Sequence, residues 1–82
     1  MSETIEARIS AIIRRVSKKA GEEPLPVDAD VFRDLGVEST AALDLLFSLE
    51  DEFGVAVPDD AFSSARTIGK MTELVNSLTG AA

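Results

Sequence analysis

The chain has 82 residues, lacks Cys, His and Trp, and carries 15 acidic against 8 basic residues, a net charge of −7. The length suits one small domain. The missing residue types exclude a disulfide framework, thiolate or histidine catalysis, and a cysteine–histidine zinc centre. The acidic balance argues against nucleic acid and anionic membrane as partners and favours basic protein surfaces.

No apolar run approaches the roughly 18 residues of a membrane span. Met1-Ser2-Glu3-Thr4 lacks the basic and apolar regions of a signal peptide, so a cytoplasmic protein is the default. Ser2 or Thr4 is expected to cap a first helix, with Glu3 and Glu6 near its positive end. Ile5, Ile9, Ile12, Ile13 and Val16 follow at helical spacing. Arg14, Arg15, Lys18 and Lys19 crowd the last turns, where cations suit the helix dipole, and Gly21 is a plausible stop.

Glu22 to Gly36 reads as a long connection, because Pro24 and Pro26 forbid a continuing helix. Val27, Val31, Phe32 and Leu35 are expected to tack it onto the core. Loops of this length in compact domains usually serve a function. Asp28, Asp30 and Asp34 invite a calcium-loop reading. That reading fails, because the sixth position holds Arg33 instead of Gly and the twelfth holds Ser39 instead of Glu.

Gly36 supplies a turn position free to take positive φ. Ser39 stands where a second helix begins, the place for a hydroxyl that caps free backbone N–H groups. At 100° per residue, Ala42, Leu45, Leu46, Leu49 and Phe53 fall on one core-facing stripe. Leu43 and Phe47 fall well off it, beside Thr40, Asp44, Glu50 and Asp51. That second face reads as a small apolar docking patch rimmed by carboxylates. From Asp34 to Ala65 there are eight acidic residues and no Lys or Arg, which concentrates the negative field on the Ser39 half.

Gly54 ends this helix as a C′ residue would. Val55-Ala56-Val57-Pro58 is extended and too short for an independent strand pair. Pro58, Asp59 and Asp60 open a short helical turn whose Phe62 is expected beside the second helix. Thr67 caps a last helix with Ile68, Met71, Leu74, Val75 and Leu78 as its buried stripe. Gly69 costs about 1 kcal/mol there against Ala and permits close approach. Gly80-Ala81-Ala82 reads as a frayed tail. Ser39 has no neighbouring base, so another enzyme must activate it. The carboxylates of Glu50, Asp51 and Glu52 have no reason to split into acid and base. The chain therefore reads as a modification substrate or binding module and not as a catalyst.

Asp34-Leu35-Gly36-Val37-Glu38-Ser39-Thr40, followed by Leu43-Asp44-Leu45-Leu46-Phe47 and Leu49-Glu50-Asp51-Glu52-Phe53, resembles the acyl carrier protein family. The family's attachment motif is Asp-Ser-Leu after a Leu-Gly turn, with an acidic helix ending in Glu-Glu-Phe. The resemblance runs from about Ile5 to Leu78. It implies an all-α fold, a small four-helix bundle with a long first loop and a short third helix. It implies one carrier domain over 1–82, with an ordered core of about 4–79. It also implies 4′-phosphopantetheine, taken from coenzyme A and bound covalently to Ser39, holding an acyl group as a thioester. Glu38 replaces the usual Asp, keeping the charge. Thr40 replaces the usual Leu, an exposed contact for partners, which hints at a specialised pathway.

The implied partners are a phosphopantetheinyl transferase, an acyl-loading ligase or acyltransferase, and a ketosynthase or other acyl-processing enzyme with a basic surface. The pathway would be fatty-acid, polyketide or related specialised biosynthesis. Docking is expected on Glu38, Thr40, Leu43, Asp44, Phe47, Glu50 and Asp51, and an acyl-chain pocket near Leu46, Leu49 and Phe62. No metal site and no catalytic residue are expected, and the chain is taken as a monomer. The alternatives are an aminoacyl or peptidyl carrier, and an unmodified protein-binding adaptor of the same fold.

Overall fold

The computed structural model describes residues 4–17 and 25–80. The expectations for Ser2, Glu3, Lys18, Lys19, Gly21, Pro24 and Ala81-Ala82 lie outside the described residues. Four helices follow in order: α1 (Ile5–Val16), α2 (Ser39–Phe53), α3 (Asp59–Ser64) and α4 (Ile68–Thr79). No strand is present among the described residues, in keeping with the all-α class. None of the helices is long and apolar enough to cross a membrane.

Thr4 caps α1, its hydroxyl accepting the Ala7 N–H at 3.0 Å. This satisfies one of the N–H groups that a helix start leaves unpaired. Ile9, Ile12 and Ile13 are buried, with Ile5 and Val16 packed at the margin. α1 packs against both α2 and α4, and α3 packs on α4. The buried face of α2 is Leu45, Leu46 and Leu49, with Ala42 and Phe53 partly covered. In α4, Ile68, Met71 and Val75 are buried, while Leu74 and Leu78 are partly so. These are the stripes that helical spacing predicts. Val37, Val57 and Ala65, in the joints between helices, complete the core.

The long connection folds around one side chain. The Asp30 carboxylate accepts the N–H groups of Phe32 (2.9 Å) and Arg33 (2.8 Å), closing a turn on itself. It also accepts Nε and Nη2 of Arg66, at 2.7 and 3.3 Å. The Asp30 carbonyl accepts the N–H groups of Asp34 and Leu35, and its own N–H donates to Asp34 Oδ2. Alongside, Asp30 forms an isolated antiparallel bridge with Thr67, and the Val31 N–H donates to the Arg66 carbonyl at 2.7 Å. The segment is thereby stitched to the head of α4, and Val31 and Leu35 are buried. Val27 departs from expectation. Its side chain remains 42% exposed, because the residue anchors through its carbonyl, which accepts the Gly69 N–H at 3.0 Å. A Cβ at Gly69 would lie 3.4 Å from that oxygen, an ordinary contact, so the approach does not depend on the glycine expected to permit it.

At the other end of the segment the Ser17 hydroxyl donates to the Leu35 carbonyl, tying the end of α1 to the turn before α2. Gly36 turns the chain with φ +75°, a conformation costly for residues bearing a Cβ. Gly54 ends α2 at φ +64°, its N–H bonded to the Glu50 carbonyl.

The hydrogen bonds from Arg66 and from the Arg33 and Phe32 N–H groups hold the Asp30 carboxyl down at about 2. The unfolded value is about 3.9. The folded pKa is the lower, so this group's stabilisation is present above about pH 4 and is lost as pH falls toward 2. Asp30→Asn should therefore be less stable than the parent at pH 7, and the gap should shrink across that window in urea titrations. A gap independent of pH would show that Asp30 contributes nothing through its charge.

Candidate functional site

Ser39 is exposed and is the first residue of α2. The cap expected at Ser39 falls one residue earlier. Glu38 takes the N-cap position with φ −72° and ψ 162°, and its carbonyl accepts the N–H groups of Ala41 and Ala42, both at 2.9 Å. The reason lies in the backbone. Gly36 reverses the chain and Val37 is pinned by its N–H bond to the Val31 carbonyl, so Glu38 is the last extended residue. No side-chain cap bond forms at this terminus, and the Ser39 hydroxyl takes no hydrogen-bond partner among the described residues. The result is an unengaged nucleophile at the positive end of a 15-residue helix.

Beside Ser39 opens a cavity of about 410 Å³. It is lined by Val37, Glu38, Ser39 and Ala42 at the start of α2. Phe32, Phe62, Ser63 and Arg66 line it too. Phe32 and Phe62 meet edge to face, with ring centroids 5.9 Å apart and an interplanar angle of 86°. The Arg66 guanidinium lies 5.1 Å from the centre of the Phe32 ring while it pairs with Asp30. Of the expected pocket residues, only Phe62 lines this cavity. Leu46 and Leu49 are buried in the core, because the cavity opens at the head of α2 and not along its middle. Phe62 faces α2 across this space and packs on Phe32.

The second face of α2 is as the spacing predicts. Leu43 and Phe47 are 59% and 58% exposed, with Thr40, Asp44 and Asp51 exposed beside them. Phe47, Asp44, Asp51 and Ser48 border a shallow groove whose far side is Arg15 and Val16 of α1, about 630 Å³ in volume. Glu50 belongs to the framework. It is half-buried, and its Oε2 accepts the Val57 N–H at 2.8 Å, fixing the link to α3.

The negative field is narrower than the run of acids suggests. Arg8 of α1 reaches Glu52 at 2.6 Å, bonds its carbonyl and lies 4.7 Å from the centre of the Phe53 ring. Arg33 stands 3.4 Å from Asp34. Asp44 and Asp51 have no such pairing among the described residues and stand together on the exposed face. Counting along the chain misses cations that other helices bring in. It also misses Arg66 as a neighbour of Ser39. The available signal was its place directly before the Thr67 cap, which commits it to the junction between α3 and α4.

A family model described as "Phosphopantetheine attachment site" matches residues 7–75. A curated relative from Caulobacter vibrioides (strain NA1000 / CB15N), described as "Probable acyl carrier protein", is 35% identical over 51 residues. That stretch is 62% of this chain and spans 59% of the relative's length.

Two substitutions separate a capping serine from an unengaged one. Thr67→Ala removes the bond from the Lys70 N–H to the Thr67 hydroxyl, 3.1 Å long, and should cost about 1 kcal/mol. Ser39→Ala should change stability by no more than about 0.5 kcal/mol. Equal losses in chemical denaturation would make Ser39 a cap after all.

Proposed function

The chain belongs to the phosphopantetheine-attachment family of carrier proteins, and on that premise we propose that Ser39 bears the arm and that the protein carries acyl groups between biosynthetic enzymes. The observation that supports this most is the exposed Ser39 hydroxyl, without a hydrogen-bond partner among the described residues, at the head of α2 and at the mouth of a cavity. A serine committed to a cap would have to give up its bond to be modified. This one has none to give up.

The residues present fit the group. A phosphate on Ser39 would meet the unpaired N–H groups and the positive dipole end of α2. Glu38 beside it would oppose this through like-charge repulsion, and Arg66, which lines the same cavity, would offset that repulsion. The chain has no His, and a base on the transferase would take the proton from the Ser39 oxygen. As the serine oxygen bonds to phosphorus, the adenosine bisphosphate part of coenzyme A departs. When bound, the arm supplies the terminal thiol that a chain without Cys lacks, and with it a high effective concentration of cargo at a docked enzyme.

Partner enzymes with basic surfaces would meet Asp44 and Asp51, with Leu43 and Phe47 as apolar anchors between them. Thr40, also exposed, replaces the apolar residue usual after the serine in the resembling motif. It favours a specialised acyl pathway over general fatty-acid synthesis. The same exposed face would serve an unmodified adaptor, and modification at Ser39 separates the two.

Incubation with coenzyme A, magnesium and a phosphopantetheinyl transferase should add one phosphopantetheine by intact mass to the parent chain and none to Ser39→Ala. Transfer to neither, including with a transferase from the same source, would leave the adaptor reading. Asp44→Lys and Asp51→Lys should slow reaction with a cognate enzyme on the order of tenfold at low salt, with little change in stability. Unchanged turnover in both would remove the docking face.

A further inference from the structure

The cavity at the head of α2 has a composition that attachment of the arm alone does not require. Phe32, Val37, Ala42 and Phe62 give it an apolar interior, and Arg66 puts a cation in its wall. Arg66 is held in place. Its Nε and Nη2 bond Asp30 at 2.7 and 3.3 Å, and its guanidinium packs over the Phe32 ring. A guanidinium has five N–H donors, so these two bonds leave three more on a group whose side chain remains 53% exposed. Such a pre-oriented fork suits a phosphate oxygen, because the entropy of ordering the side chain has already been lost.

We infer that this cavity seats the first segment of the arm, with Arg66 donating to the phosphodiester carried by Ser39 and with Phe32 and Phe62 receiving the dimethyl-substituted carbon that follows it. The inference rests on Ser39 as the attachment residue. The match is one of chemical order. A phosphate tethered to Ser39 is confined to the mouth of the cavity, because Ser39 is part of its wall. The next bulky part of the arm is a carbon bearing two methyl groups, which is apolar, and the cavity behind Ser39 is apolar. Glu38 also lines the cavity and would repel the phosphate, so a cation in the same lining has a definite task. Arg66 is thus a positioning residue for the arm, and the arm rests against the bundle between reactions instead of sampling the full length of its tether. Pairing with Asp30 alone would explain the charge of Arg66 but not its place in the wall beside Ser39.

The test uses the full chain, isotopically labelled and loaded enzymatically, with attachment checked by intact mass. NMR should show nuclear Overhauser contacts from the arm's two methyl groups to the rings of Phe32 and Phe62. The ³¹P resonance should be displaced from that of the same loaded chain unfolded in urea, which carries the same phosphodiester, and should move back toward it as salt is raised. Arg66→Gln should load normally, lose the methyl-to-ring contacts and lose the ³¹P displacement, and Arg66→Lys should recover part of both. The spectrum of the unloaded variant reports its fold, and the parent chain's contacts and salt titration stand without any variant. A loaded parent chain with no such contacts and a ³¹P resonance matching that of the unfolded loaded chain overturns the inference and leaves the carrier reading intact. Normal contacts in loaded Arg66→Gln overturn the role of Arg66. Failure to load Ser39 overturns both readings together.

Discussion

Asp30 bonds in three directions: to the N–H groups of its own turn, to Asp34, and to the arginine at the end of the α3–α4 junction, while its bridge partner Thr67 is held alongside by the bond from the Val31 N–H to the Arg66 carbonyl. A chain this short buries a smaller fraction of its surface than a larger domain does, about 60–65%, and has little apolar area to spend on an irregular segment. The connection between α1 and α2 is held mainly by directed polar bonds instead, with Val31 and Leu35 as its buried pegs. Its placement decides where Gly36 turns, hence where α2 begins and which residue stands first in it. The same carboxylate orients Arg66, so the interaction that fixes the loop also sets one wall of the cavity beside Ser39.

α2 divides its surface between two tasks. Leu45, Leu46 and Leu49 are spent on the core, and Leu43 and Phe47 remain outside it. Glu50 and Glu52 look like parts of the acidic face but act within the fold, one holding the Val57 N–H and the other taking Arg8. What remains exposed is two aspartates beside two apolar side chains.

The polypeptide is chemically sparse, and its role follows from that. It brings a hydroxyl at a helix terminus, with neither a base nor a thiol of its own. The stable part of the fold lies behind the site. The site itself lacks the capping bond that would have made the serine structural, and the cost of a weaker helix start is met by packing along α2.

Much of this was legible in the residues. Apolar spacing identified the helices and their buried stripes, because a 3.6-residue period maps directly onto one face. Gly36 and Gly54 marked turns because only glycine takes positive φ cheaply, and the exposed face of α2 followed from angle alone. The turn, serine and acidic helix together carried the resemblance to the family. Three things depended on the tertiary structure. The cap moved to Glu38 because the loop's bonds set where extended backbone stops. The field narrowed because Arg8 arrives from another helix. The cavity lies by Phe32, Phe62 and Arg66, away from Leu46 and Leu49, because α3 packs on α4 and meets the loop instead of lying along the middle of α2. Local periodicity reports which face of an element is buried. Which residues from distant segments converge on one atom is decided only when the elements pack.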